Sequence, residues 1–394
     1  MKTLLTILAF SILCSCSNKI NENAITTLPE KSAQNILLSS IVEHIRFIPL
    51  ASEPPEAIVN DRFGVKVMIS ENYICVVQTD PGNMVHIFSY PDGKFIHRHN
   101  RIGRGPGEYT YISDVDVYKD TLYILSFNTI LAYTLDGKFI AEYNIGMRAI
   151  RFRVIDQNSF LLISHILSSE VANTEKQRLY IVNTQGEILH SLLDPKQSLQ
   201  FDRPIDPMKF DHNTFLYQLG RSNDFISYNI KEQSFKNERL VSQDILSHEE
   251  EEKHLVQQGL NQFGLNDLST LKALHISRMA VTNNDLFFTI RDSRQEVSQT
   301  HYIMSKNGGK IRYAVKEPYI NDISFTERPP LLNLISNGFS ERYFVSYMSP
   351  YQLINGIENY KSDTYPPHYY QMMDTLVKNL KEDDNLVLVE FSFK

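Results

Sequence analysis

The chain has 394 residues, is 42% hydrophobic and carries a formal net charge of −7 at neutral pH. The apolar content supports a sizeable core, and the acidic balance excludes a nucleic-acid partner, whose binding needs a basic surface. Tryptophan is absent beside 21 tyrosines and 22 phenylalanines, so any stacking on a sugar would fall to tyrosine.

The first residues read as a targeting segment. Lys2 supplies a positive n-region, and Leu4 to Leu13 is an apolar core too short to span a bilayer. Leu13-Cys14-Ser15-Cys16 then resembles a bacterial lipobox, with small Ser15 just ahead of Cys16. The resemblance implies a signal peptide over 1–15, acylation of Cys16 and a membrane held through that lipid anchor. Each buried methylene of such chains adds roughly 0.8 kcal/mol, so several chains hold a domain stably. A flexible tether is expected over 16–34, followed by one domain over 35–394. Ser17 to Glu22 lacks a dense acidic cluster, which favours an outer-membrane lipoprotein facing the periplasm. After processing, Cys75 stands alone in Tyr73-Ile74-Cys75-Val76-Val77, so the fold has no intramolecular disulfide, and the apolar neighbours predict an inert buried thiol.

From there the chain repeats one unit: apolar strand, turn, apolar strand, with glycine turns between. Tyr73–Val77 and Val85–Ser89 lead through Asp92-Gly93-Lys94 to Phe95-Ile96-His97. Val115–Val117, Leu122–Ser126 and Leu131–Thr134 lead through Asp136-Gly137-Lys138 to Phe139–Tyr143. Asp-Gly-Lys-Phe-Ile thus recurs at an interval of 44 residues. A third unit spans Phe152 to His190, a fourth Phe215 to Val241 and a fifth His275 to Ala314. A sixth begins at Leu331–Ser336 and Tyr343–Tyr347, is interrupted, and resumes at Leu386–Phe391. Asp-Gly and Gly-Gly tolerate the positive φ of tight hairpins. Units of this length with about four strands each predict an all-β, six-bladed β-propeller. His44–Ile48 is expected to join the last strand and close the ring. A two-sheet β-sandwich is the alternative. Two stretches break the rhythm, about 247–270 and 349–385. They predict helical insertions, one capped by Ser247 and one over Tyr370–Leu380.

One run stands apart: Gly103-Arg104-Gly105-Pro106-Gly107-Glu108-Tyr109. It resembles the signature of the six-bladed β-propeller lipoproteins abundant in Bacteroidota, similar in shape to NHL and TolB-like propellers. Ile45-Arg46-Phe47-Ile48-Pro49-Leu50, the Asp-Gly-Lys hairpins and the ending Glu382 to Val389 match as well. Leu386 stands where the family pattern would have proline. Members are mostly of unknown function, so the resemblance implies a fold and no catalytic residues. The run lacks the Gly-Lys-Ser/Thr of a phosphate loop. It reads as a turn between blades, with Tyr109 packed and Glu108 accepting from backbone amides.

Other candidates are weaker. Asp114 and Asp116 share a strand face and could bind calcium or act as acid and base, although no calcium-loop spacing surrounds them. His97 and His99 share a face without a third zinc ligand. His248 and His254 are six apart, unlike His-Glu-x-x-His. No metal site, cofactor or catalytic constellation is visible, and the reading leans away from an enzyme. It favours an envelope-anchored scaffold that docks a protein, peptide or glycan on a propeller face. The alternatives are a propeller hydrolase or lyase acting on a glycan or peptide, and a purely structural partner of an outer-membrane complex.

Overall fold

Short apolar stretches joined by tight turns can bury both faces only by stacking around an axis, and the structure takes that solution. It is a computed structural model that describes residues 24–60, 65–79, 82–164, 177–193, 207–220, 222–243, 245–247, 249–250, 253, 273–294, 298–326, 342–359 and 366–394. An N-terminal arm holds β1 (Ala24–Thr26), the short helix α1 (Leu38–Ile41) and β2 (Val42–Pro49). Blade one contains β3 (Lys66–Ile69), β4 (Tyr73–Gln78), β5 (Met84–Ser89) and β6 (Phe95–His99). Blade two contains β7 (Asp114–Tyr118), β8 (Thr121–Ser126), β9 (Thr129–Thr134) and β10 (Phe139–Asn144). In blade three are β11 (Ala149–Asp156), β12 (Ser159–Ser164), β13 (Gln177–Asn183) and β14 (Ile188–Leu193). Blade four has β15 (Met208–Lys209), β16 (Thr214–Gln218), β17 (Asp224–Asn229) and β18 (Ser234–Val241). Blade five has β19 (Leu274–Val281), β20 (Asp285–Asp292), β21 (Ser298–Ser305) and β22 (Ile311–Lys316). Blade six pairs β23 (Phe344–Met348) and β24 (Val387–Phe393) with β2.

The six sheets form a six-bladed β-propeller. The first strand of each blade lies innermost: β7 packs against β11 of the next blade, whereas β10 on the outside alternates exposed and half-buried residues. Ring closure follows the sequence expectation. β2 runs antiparallel to β24, from Val42 opposite Phe393 to Pro49 opposite Val387, so the two chain ends share one sheet. Asn385 locks this seam. Its amide nitrogen donates to the Ala51 and Ala57 carbonyls at 2.6 and 2.9 Å, and its oxygen accepts from Val59 N–H at 2.8 Å. The expected strand Leu331–Ser336 lies outside the described residues.

The arm is built into the ring from Ala24 onward, within the stretch 16–34. β1 adds to blade four as a parallel fifth strand, Ala24 opposite Arg239 and Thr26 opposite Val241. The arm then crosses to blade five, where Ala33 N–H donates to Ala314 O at 2.8 Å and Lys316 N–H to Ala33 O at 2.9 Å. Leu38 N–H donates to Ile320 O at 2.8 Å, and Ser39 N–H to Asp322 Oδ1 at 2.9 Å. These are mostly backbone contacts, which leave no apolar periodicity for a sequence reading to find.

The outer hairpins repeat one joint. Gly137, at φ +89°, turns β9 into β10, and a Cβ there would overlap the His97 ring on the outer strand of blade one. The hairpin glycines Gly93, Gly186 and Gly309 press in the same way on Pro49, Asn144 and Ile25 of the preceding outer edge. In blade four Gln233 takes the position at φ +50°, and its Oε1 lies 3.4 Å from His190 Nε2 of blade three. Gly137→Ala is therefore expected to cost about 2 kcal/mol, from a left-handed backbone plus overlap with His97. Urea unfolding would measure it.

The helices of the 349–385 insertion pack against blades five and six. A capping box at Ser349 and Gln352 starts α2 (Pro350–Glu358), a helix the sequence reading did not separate from the rest of 349–385. α3 (Pro367–Val377) begins three residues earlier than expected, with Pro367 preset for the first turn. Leu353 and Met373 anchor both helices in a core shared with Phe344 and Phe391. Ser247 caps a helical start through reciprocal bonds with Glu250, and most of 247–270 lies outside the described residues. Cys75 is buried in blade one, and burial pushes its thiol up to about 12.

Candidate functional site

Inner strands of consecutive blades start on the same face, so their first residues ring the mouth of the axis. Lys66 opens β3 and Asp114 opens β7, and Lys66 Nζ lies 2.5 Å from Asp114 Oδ1. Asp114 Oδ2 accepts from Phe152 N–H at 3.0 Å and pairs with Arg153 Nη1 at 3.2 Å, both on β11. One buried carboxylate thus joins the inner strands of three blades. Asp116 also faces β11: its two oxygens accept from Val117 N–H at 3.0 Å and Val154 N–H at 2.8 Å. Burial raises its pKa, opposed mainly by the Arg153 charge. The pair on one strand face is therefore held by the neighbouring blades. It stitches blades together.

Above this network sits an exposed surface that the sequence reading missed. Ser126 pairs with Thr129, so Phe127 and Asn128 form a two-residue hairpin. The first residue of such a turn takes positive φ, which is glycine's usual place. Here Phe127 adopts φ +55°, a conformation that a bulky residue holds only at a cost of order 1–2 kcal/mol. Its ring is nonetheless 40% exposed. Tyr111, 43% exposed, lies beside it with ring centroids 6.3 Å apart, and the Arg148 guanidinium covers the Phe127 ring at 5.2 Å. The three side chains come from different loops.

Those loops are tied to the axis. Phe127 N–H donates to Ser113 Oγ at 3.4 Å, one residue ahead of Asp114. Ala149 N–H, at the start of β11, donates to Phe127 O at 3.0 Å, and Arg151 Nη1 donates to Ser113 O at 3.3 Å. A rigid scaffold therefore presents two aromatic faces and a cation at the axis mouth. Chemically that can stack on a ring or apolar face and pair with an anionic or carbonyl group.

The glycine run lies behind this surface, wedged between blades one and two. Glu108 Oε2 accepts from Gly105 N–H at 2.8 Å, and Tyr109 N–H donates to Arg101 O at 3.0 Å. The buried Tyr109 hydroxyl donates to Asn83 O at 3.0 Å, and Tyr133 donates its hydroxyl hydrogen to Gly107 O at 3.1 Å. Gly107, at φ +68°, lies where a Cβ would strike Phe139, and a Cβ at Gly103 would strike the Glu108 carboxylate. Pro106 sits between them in the turn. Asn83 Oδ1 also accepts from Ile112 N–H at 3.1 Å, which sets the direction in which Tyr111 leaves the wedge.

His97 and His99 do not form a ligand pair with any third group. Among the described residues no three His, Cys, Asp or Glu gather as metal ligands. His99 is buried against Tyr133 at 4.2 Å between ring centroids, and neither ring nitrogen has a hydrogen-bond partner among the described residues. Burial, His97 and Arg101 lower its pKa to about 3. Cys16, His248 and His254 lie outside the described residues.

Fold and site together define a six-bladed propeller that presents an aromatic and basic patch at the mouth of its axis. The chain belongs to the family described as a domain of unknown function, DUF4934, whose family model matches residues 23–392. Among solved structures it is similar to a Bacteroides fragilis protein assigned as exported, at 16% identity and a TM-score of 0.70, covering 92% of this chain and 99% of that one. A member of the DUF4221 family from Bacteroides vulgatus matches at 9% identity and a TM-score of 0.46, covering 90% and 97%. No functionally curated protein matches the chain.

Proposed function

We propose that this protein is an envelope lipoprotein, anchored through Cys16, that docks a peptide or glycan of an envelope component at the mouth of the propeller axis. The observation that carries the reading is Phe127: a bulky side chain is kept outward in a strained turn where glycine would relieve the backbone. Strain retained at an exposed aromatic marks a surface that is used. Tyr111 and Arg148 complete a patch that can hold a ring or apolar group beside an anion. The lipobox-like sequence and the exported assignment of the Bacteroides fragilis protein both support an extracytoplasmic location. The hydrolase reading draws less support, because both oxygens of Asp116 are occupied by backbone amides.

The test compares the protein with a Tyr111→Ala/Phe127→Gly variant on glycan and peptide arrays. Ligands retained by the wild type are expected to bind the variant at least tenfold more weakly, about 1.4 kcal/mol. Unfolding free energy should change by no more than about 0.5 kcal/mol, because exposed contacts are lost while backbone strain is relieved. Equal binding by both proteins, or no ligand for the wild type, overturns the assignment.

A further inference from the structure

We infer that the propeller meets the membrane with its outer rim at the junction of blades four and five, leaving the outer hairpins at the junction of blades one and two on the far side. The inference rests on acylation of Cys16 as proposed above, and its new content comes from the arm. Eight Cα steps separate Cys16 from Ala24. Fully extended, they reach at most about 28 Å.

Ala24 is not on a loop of either flat face. It is paired with Arg239 inside β18, the outer strand of blade four. Further contacts hold the arm on this edge. Gln243 Oε1 accepts from Leu28 N–H at 3.0 Å, and Gln243 Nε2 donates to Leu28 O at 2.9 Å. Thr27 Oγ1 lies 2.9 Å from Ser242 Oγ, and Thr26 Oγ1 donates to Gly309 O of blade five at 2.5 Å. The lipid is thus tethered to a fixed point on the rim. In a ring of six blades the junction of blades one and two lies diametrically opposite. At roughly 4.8 Å per strand, the two rims are separated by more than about 34 Å, beyond the reach of the tether. A tether leaving from a strand edge brings that edge to the bilayer without wrapping around either face.

The experiment uses the full lipidated chain in vesicles that carry an energy-transfer acceptor on their headgroups. Lys310→Cys, in the blade-five hairpin, and Lys138→Cys, in the blade-two hairpin, each receive a donor dye; Lys310 and Lys138 are exposed, and Cys75 is buried. Transfer is expected to be several-fold stronger from position 310 than from position 138. A flexible insertion of about twenty Gly and Ser residues after Cys16 should erase the difference. Equal transfer from the two positions in the native-length chain overturns the orientation while leaving the anchor intact. A chain that does not co-sediment with the vesicles overturns the anchor, and the orientation with it.

Discussion

Replacing Asp114 by alanine is expected to lower the unfolding free energy by about 3–5 kcal/mol, the range seen when one partner of a buried ion pair is removed. The carboxylate is buried, and it faces Lys66 from blade one and Arg153 from blade three. Truncation leaves those charges facing each other, and leaves Phe152 N–H without its acceptor. Asp114→Asn keeps one acceptor for that amide but not the charge, so its loss should be smaller. Asp136→Ala removes an exposed pair with Lys138 and should leave stability unchanged. Urea denaturation of the three variants decides the matter. An Asp114→Ala protein as stable as the wild type would show that the axial network does not hold the blades together.

Acidification should destabilise the fold well before the carboxylates titrate. His86 and His99 are buried, and desolvation with Arg98 nearby lowers His86 to about 4 while desolvation with His97 and Arg101 lowers His99 to about 3. The unfolded chain takes up protons near pH 6.5, and the folded chain refuses them until pH 4 or below. Their contribution is therefore complete above about pH 6.5 and is lost as pH falls toward 4, at about 1.4 kcal/mol per unit for each histidine. At pH 4.5 the two together would cost on the order of 5 kcal/mol. Asp116 works the other way, since its raised pKa lets the folded state bind a proton first. A His99→Phe variant cancels that term by difference. The ring still fills the space beside Tyr133 and Tyr109, and the pH slope of stability should lose about 1.4 kcal/mol per unit between pH 6 and 4.5. An unchanged slope would mean that His99 titrates normally in the fold.

The propeller was legible because its joints are built from turn chemistry. Asp92-Gly93-Lys94 and Asp136-Gly137-Lys138 mark hairpins by residue type alone, and the pairing of β2 with β24 follows from leftover strands at both ends. The site was not legible for the opposite reason. Ser126-Phe127-Asn128-Thr129 carries no glycine, so the break between Leu122–Ser126 and Leu131–Thr134 held no sign that Phe127 takes φ +55°. Tyr111 and Arg148 reach Phe127 from separate loops, and Lys66 reaches Asp114 across 48 positions of sequence. Proximity of that kind belongs to the ring, not to any local pattern. The arm escaped because Ala24-Ile25-Thr26 is held by backbone bonds that any residues would make.

The repeated hairpin joint has a consequence for how such rings change size. Blades one to three each carry a convex turn on the leading side and offer their own trailing strand as the seat for the next, so both halves of the joint travel with a single blade. A duplicated blade would arrive with its own turn and its own seat, and its neighbours would accept it without altered chemistry. Ring number then becomes a question of the angle between sheets. That modularity stops at the seam held by Asn385, where two chain ends share one blade, and at blade four, where the arm supplies the seat for Gly309.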